Sequence, residues 1–85
     1  MKNGLYVEYE IKSWYKNNRL HREDGPAIEY PNGSKIWCQN GKTHRLNGPA
    51  IELVNGNKYW YYQGKYIKCS SQEEFEKLLK LKAFW

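Results

Sequence analysis

The sequence predicts a mainly β protein, an antiparallel meander of 23-residue hairpin repeats followed by one C-terminal α-helix. The first observation is that Trp14, Trp37 and Trp60 are separated by 23 residues, a fixed period typical of repeat architectures. The second is that Asn-Gly pairs, which favour tight hairpin turns, occur at 32–33 and again at 40–41. Each repeat is therefore expected to carry two hairpin turns.

Eighty-five residues are enough for one small domain, and we predict three segments within a single domain, 1–85. Residues 1–11 alternate apolar and polar side chains and are expected to form a capping strand. Residues 12–69 hold the β repeats, and residues 70–82 form the helix. Eight tyrosines and four tryptophans compensate for the modest apolar content, because aromatic rings bury much area each.

The turns of the central repeat predict which residues face each other across the sheet. A two-residue turn at Asn40-Gly41 pairs Cys38 with Thr43, and one at Asn32-Gly33 pairs Glu29 with Ile36. Opposed residues share a face, so the two turns assign the side chains to two faces. The predicted apolar face holds Ile28, Tyr30, Trp37, His44, Ile51, Leu53, Trp60 and Ile67, and the mixed face holds Ala27, Glu29, Ile36, Cys38, Ala50, Glu52, Tyr59 and Tyr61.

The last segment carries the signals of a helix. Ser70 with Glu73, or Ser71 with Glu74, forms a capping-box pattern. Apolar residues then recur at helical spacing, while acidic residues near the start and lysines near the end suit the helix dipole. We expect this helix to cover the open end of the sheet. For Phe84 and Trp85 two alternatives remain open, since they either pack back against the domain or remain exposed.

The repeat resembles a MORN-type repeat. The matching positions, which fall within Trp14 to Tyr66, are Asn32, Gly33, Trp37, Asn40, Gly41, His44, Gly48, Asn55 and Gly56. Arginine follows each histidine where the family usually has glycine, and this His-Arg-x-x-Gly-Pro-Ala variant is similar to repeats of large bacteriophages and giant viruses. The resemblance implies a sheet scaffold that binds proteins without enzymatic activity. It further implies a viral protein that blocks a host protein, such as an anti-CRISPR-like or other inhibitor of a defence system, in the host cytoplasm.

No catalytic or metal site is expected. His21 and His44 occupy equivalent positions, but the third position is Ile67, which favours a packing role for this column over imidazole chemistry. Two histidines and two distant cysteines lack the ligand spacing of a zinc site. Glu29 and Glu52 are equivalent by repeat, which is a simpler cause of their recurrence than acid–base catalysis. We therefore expect no cofactor.

A net charge of +5 favours an acidic partner. Nine basic residues fall into three columns of equivalent positions, which stack into ladders that either bind an anion or only keep the strands soluble. Arg22 is also expected to form an ion pair with nearby carboxylates. The anion-binding candidates are Arg22, Arg45, Lys35, Lys58, Lys42 and Lys65.

Three functions remain open on these grounds. The leading prediction is a non-enzymatic module that binds a protein through Ile36, Cys38, Tyr59, Tyr61 and Tyr62, because tyrosine is common among interface anchors. The alternatives are a binder of nucleic acid or a nucleotide, and a repeat that assembles with itself through sheet edges. Two cysteines without a disulfide pattern predict reduced thiols, and the absence of a long apolar run predicts no membrane span. A cytoplasmic protein is expected.

Overall fold

The computed structural model describes residues 1–81 and confirms the fold class, an antiparallel β meander followed by a helix. The elements are β1 (Gly4–Glu8), β2 (Ile11–Lys16), β3 (Arg19–Leu20), β4 (Ile28–Glu29), β5 (Lys35–Ile36), β6 (Cys38–Gln39), β7 (Lys42–Thr43), β8 (Ile51–Glu52), β9 (Lys58–Tyr62), β10 (Lys65–Ile67) and α1 (Gln72–Leu81). The main sheet has the strand order β1-β2-β4-β5-β8-β9-β10, with β3 paired to β2, and β6 pairs with β7.

The N-terminal segment is a hairpin, and the prediction of one capping strand over 1–11 was wrong. Glu8 pairs with Ile11, so the chain reverses at Tyr9 and Glu10. Both turn residues have positive φ angles, 51° and 65°, as a type I′ turn requires. Tyrosine and glutamate rarely adopt this conformation, which is why the sequence gives no turn signal there.

Three further tight turns lie at Asn17-Asn18, Asn40-Gly41 and Gln63-Gly64. The predicted register of the central one is confirmed, since Cys38 pairs with Thr43. Successive turns stack on each other through backbone hydrogen bonds. The N–H of Gly41 donates to the carbonyl of Leu20, and that of Gly64 donates to the carbonyl of Thr43, both at 2.8 Å.

The turn at Asn32-Gly33 is one residue longer than predicted, and the register is shifted. Glu29 pairs with Lys35 and Ile28 with Ile36. Gly33 has a φ of 98°, but Asn32 does not have a positive φ, and its side-chain oxygen instead accepts the N–H of Ser34 at 2.9 Å. Pro31 in the preceding position suits a type I turn followed by a left-handed glycine.

This shift regroups the two predicted faces, because a one-residue slip moves a strand's side chains to the other side of the sheet. Ile36 and Tyr59 were predicted on the face opposite Ile28 and Ile51, but they share a face with these isoleucines. Strand pairings recur at an offset of 23 residues, as in the pairs Lys12–Glu29 and Lys35–Glu52. One row across the sheet alternates in charge and contains Lys12, Glu29, Lys35, Glu52 and Lys58. The adjacent row, on the opposite face, contains Ser13, Ile28, Ile36, Ile51 and Tyr59.

The helix packs at the C-terminal end of the sheet, on the face that carries Trp60, and forms the main core there. Phe75 is fully buried against Trp60 and Ile67. The indole Nε1–H of Trp60 donates to the side-chain oxygen of Gln72 at 2.8 Å. Of the two predicted caps the chain uses Ser71, whose hydroxyl accepts the N–H of Glu74 at 3.2 Å.

The predicted helix was 70–82, whereas α1 spans Gln72–Leu81. Residues 82–85, with the predictions made for Phe84 and Trp85, lie outside the described residues. Within residues 1–81 no helix has the length and apolar character needed to cross a membrane.

Candidate functional site

The candidate site is a partly exposed apolar surface on one face of the sheet. We call it the isoleucine–tyrosine face, and define it as Ile28, Ile36, Ile51, Tyr59, Tyr61 and Tyr66. Its isoleucines are cross-strand neighbours in β4, β5 and β8, so their branched side chains form a continuous row. The row continues into β9, where Ile51 pairs with Tyr59.

Three tyrosines form a partly exposed cluster at the end of this face. Tyr66 in β10 lies directly across from Tyr61 in β9, and their ring centroids are 5.5 Å apart. The ring of Tyr66 is 6.3 Å from that of Tyr59. Tyr66 is 51% exposed, so the cluster presents ring surface and hydroxyl groups to solvent.

The structure brings together Ile36, Tyr59 and Tyr61, but not the other two predicted contact residues. Tyr62 follows Tyr61 in β9 and therefore points to the other face, where it contacts His44 and packs against the helix core. Cys38 is only 4% exposed. Burial raises the pKa of its thiol, which keeps the group protonated, although a hydrogen bond with Thr43 acts in the other direction. Both cysteines are free.

The opposite face contains an arginine clamp in each of the first two repeats. The guanidinium of Arg45 lies 3.8 Å from the ring centroid of Trp37. Its Nη1 donates to the carbonyl of Pro49 at 3.1 Å and to the Glu52 carboxylate at 2.9 Å. A Cβ on Gly48 would lie 2.6 Å from the guanidinium carbon, so this glycine leaves the space that the arginine fills.

Arg22 repeats the arrangement. It lies 3.8 Å from the ring centroid of Trp14 and donates to the carbonyl of Pro26 and to Glu29. The structure thus explains the His-Arg-x-x-Gly-Pro-Ala pattern as a packing motif. Arg22 and Arg45 have carboxylate partners within the chain, as expected for Arg22, and this leaves them less available to an external anion.

The remaining anion-binding candidates lie in two places. Lys35 and Lys58 are exposed members of the alternating row and flank Glu52. Lys42 and Lys65 are exposed near the stacked turns, where the aliphatic part of Lys42 packs beside Gly64. In the alternating row, Lys35 and Lys58 lie beside a carboxylate, which is a favourable cross-strand pairing. Lys42 and Lys65, near the stacked turns, form a basic rim.

The histidines accept hydrogen bonds that connect successive repeats, a role that sequence reasoning missed. The Nδ1 of His21 accepts the N–H of Asn40 at 3.0 Å, and the Nδ1 of His44 accepts the N–H of Gln63 at 2.9 Å. Ile67 takes the third position, where the helix follows instead of another hairpin. The predicted packing role of this column is therefore incomplete, because both imidazoles also accept a hydrogen bond.

Burial lowers the pKa of His44, because the partly enclosed ring loses solvation when it is charged. The neutral imidazole keeps Nδ1 available as an acceptor. The signal for this role was present in the sequence, since histidine occurs in the repeats that precede another hairpin and is replaced after the last one.

Comparison of the chain with models of known protein families, with curated proteins and with solved structures gives no match. Over residues 1–81 there is no group of three or more histidine, cysteine, aspartate or glutamate side chains placed to hold a metal ion. The candidate site is therefore argued from its geometry.

Proposed function

We propose that this chain is a non-enzymatic binding module that docks a protein partner on the isoleucine–tyrosine face. The observation that carries the proposal is the uncovered apolar row from β4 to β9. Its isoleucines remain partly exposed, and α1, the one helix in the described range, packs on the other side of the sheet. Contiguous exposed apolar surface of this kind is typical of interaction sites.

The tyrosine cluster supplies the anchors of the proposed interface. Tyrosine provides a large, stiff contact surface and a hydroxyl that bonds at the edge, and it is enriched among residues that dominate binding energy. Tyr59 and Tyr61 are held by β9, and Tyr66 is held against them by the short β10 hairpin. Little conformational entropy is then lost on binding, because strand pairing has already ordered the backbone.

Charge indicates the kind of partner. Arg19, Lys42 and Lys65 are exposed beside the stacked turns and form a basic rim. Lys65 lies across from Tyr62, on the side of the sheet opposite the isoleucine–tyrosine face. The net charge of +5 would accelerate encounter with an acidic surface. We therefore propose an acidic protein that presents an apolar patch. Blocking of a host defence protein by a viral chain remains a prediction from the resemblance. The cytoplasmic location remains a prediction from the sequence.

Site-specific photocrosslinking in the native host tests the proposal. A photoreactive phenylalanine analogue at Tyr66 reports on the tyrosine cluster, and the same analogue at Lys58 reports on the opposite face of the neighbouring strand. We expect a protein crosslinked from position 66 and absent from position 58. Equal crosslinking from both positions, or capture of nucleic acid alone, would contradict the proposal.

The identified partner then allows affinity measurements. Tyr59→Ala/Tyr66→Ala is expected to weaken binding by about 30-fold or more, since anchor residues contribute about 2 kcal/mol or more. The control Lys12→Ala/Lys35→Ala, on the opposite face, should change affinity by less than about threefold. Circular dichroism verifies that each variant is folded. If affinity instead falls linearly with the logarithm of salt concentration while the tyrosine variant binds normally, the nucleic-acid alternative replaces this one.

A further inference from the structure

The N-terminal edge of the sheet is formed by β1, which among residues 1–81 pairs only with β2. All five residues of β1 are exposed. Leu5 is 50% and Val7 is 55% exposed, so the strand presents apolar side chains as well as a free edge. The strand is also one of the longest in a sheet where most strands have two or three residues.

The turn at Tyr9-Glu10 fixes which backbone groups face outward. In a hairpin with a two-residue turn, the flanking pair Glu8 and Ile11 exchanges hydrogen bonds, and the pairs alternate from there. Gly4, Tyr6 and Glu8 therefore direct their N–H and C=O groups to β2. Those of Leu5 and Val7 point away from the sheet, and within residues 1–81 no backbone hydrogen bond satisfies them.

This edge lacks the usual protection against strand pairing. Natural edge strands carry central lysines or prolines, or are covered. The centre of β1 reads Leu5-Tyr6-Val7, without a charge or proline, and its charged residue Glu8 lies at one end. At the other end Gly4 has open space beside it, because a Cβ there would meet no atom within 4 Å.

We propose that β1 pairs with β1 of a second copy of this chain, antiparallel and centred on Tyr6, to form a closed two-fold dimer. In this register Leu5 faces Val7 of the second copy, and the outward backbone groups of both residues are satisfied. The two Tyr6 side chains face each other across the axis. Such an isologous contact closes on itself instead of propagating.

Charge supports this register. Glu8 lies opposite Gly4 of the second copy, whose missing side chain leaves the carboxylate free to extend along the strand. Lys2 lies on the same side of the hairpin, with its ammonium 5.5 Å from the ring centroid of Tyr6 and 4.7 Å from that of Tyr15. The Glu8 carboxylate of one copy therefore reaches the Lys2 ammonium of the other, twice per dimer. This interface is separate from the tyrosine cluster on β9 and β10.

The dimer is tested by reversing the charges of Glu8 and Lys2 and measuring the association by sedimentation equilibrium. The wild-type chain should show a concentration-dependent monomer–dimer equilibrium. Glu8→Lys and Lys2→Glu alone should each weaken dimerisation by about tenfold, because like charges then face each other across the axis. An equimolar mixture of the two variants should recover the wild-type dimer, since both cross-axis pairs become attractive again.

Hydrogen exchange gives a second measurement that needs no variant. The Leu5 and Val7 amides should exchange more slowly as wild-type concentration rises. The Trp14 amide, which donates to Ala27 within the chain at 2.8 Å, should be unaffected and serves as control. A strict monomer at millimolar concentration, species larger than a dimer, or a mixture of variants that stays monomeric would overturn the proposal.

Discussion

Replacing Gly48 with alanine tests the arginine clamp, because the added methyl group and the Arg45 guanidinium cannot occupy the same space. The new Cβ would lie 2.6 Å from Cζ and 2.8 Å from Nη1 of Arg45. The backbone at Gly48 is not in the left-handed region, so alanine introduces no conformational strain of its own. The arginine must then leave its position over Trp37 and lose its bond to Glu52.

The magnitude follows from the interactions that the displaced arginine can no longer make. A hydrogen bond between charged groups contributes roughly 1.5–3 kcal/mol, and the lower end applies because the Glu52 side chain is 35% exposed. Cation–π stacking adds roughly 0.5–1 kcal/mol at such a site. Replacing glycine with alanine also raises the free energy of unfolding by roughly 0.4–1 kcal/mol, because alanine restricts the unfolded chain. We expect Gly48→Ala to lower the free energy of unfolding by about 1–2 kcal/mol.

The assay is urea unfolding followed by circular dichroism, since tryptophan fluorescence would report the loss of stacking as well as unfolding. The control is the same substitution in an Arg45→Ala background, where the clash is absent. Gly48→Ala should be neutral there or stabilise by up to about 1 kcal/mol. An equal cost in both backgrounds would refute the reasoning, because the glycine would then be needed for a reason other than the arginine.

Three other outcomes are expected from the same structure. The free energy of unfolding should fall as pH drops below about 6.5, because the pKa of His44 is lower in the folded chain than its ordinary value of 6.5. Unfolding therefore takes up a proton in this pH range. Urea titrations at several pH values should show that His44→Phe flattens this dependence. Phe75→Ala should lower the free energy of unfolding by about 3–5 kcal/mol and release the helix from the sheet. Circular dichroism should then show a loss of helical ellipticity, and an unchanged signal would contradict the packing described. Tyr9→Asn/Glu10→Gly should raise stability by about 1 kcal/mol or more in thermal melts, since both native residues have positive φ angles.

The sequence was informative where a short signal determines local geometry. Asn40-Gly41 specifies a type I′ turn, and the predicted pairing of Cys38 with Thr43 is correct. The Ser71 cap and the helix that packs beneath Trp60 also follow from local patterns. These features depend on a few adjacent residues, so the sequence contains their cause.

The sequence was misleading where the same dipeptide supports two geometries. Asn32-Gly33 also contains the favoured pair, but Pro31 before it makes a longer turn possible, and the chain uses that turn. The resulting shift of one residue moved Ile36 beside Ile28. Tyr62 lies outside the candidate site for another reason, because it follows Tyr61 in β9 and points to the other face, whereas Tyr66 lies across from Tyr61. Hydrogen bonds between repeats, such as that of His44 with Gln63, join residues 19 positions apart and could not be read from local spacing.

The two histidines accept hydrogen bonds from residues that come later in the chain. Each of these histidines accepts a hydrogen bond from the turn of the hairpin that follows it, so the contact between repeats has a defined direction along the chain. Ile67 supplies an apolar surface instead of an acceptor, and Phe75 seals it. At this position the change from an imidazole to a hydrocarbon therefore replaces hydrogen bonding to a further hairpin with packing against the helix.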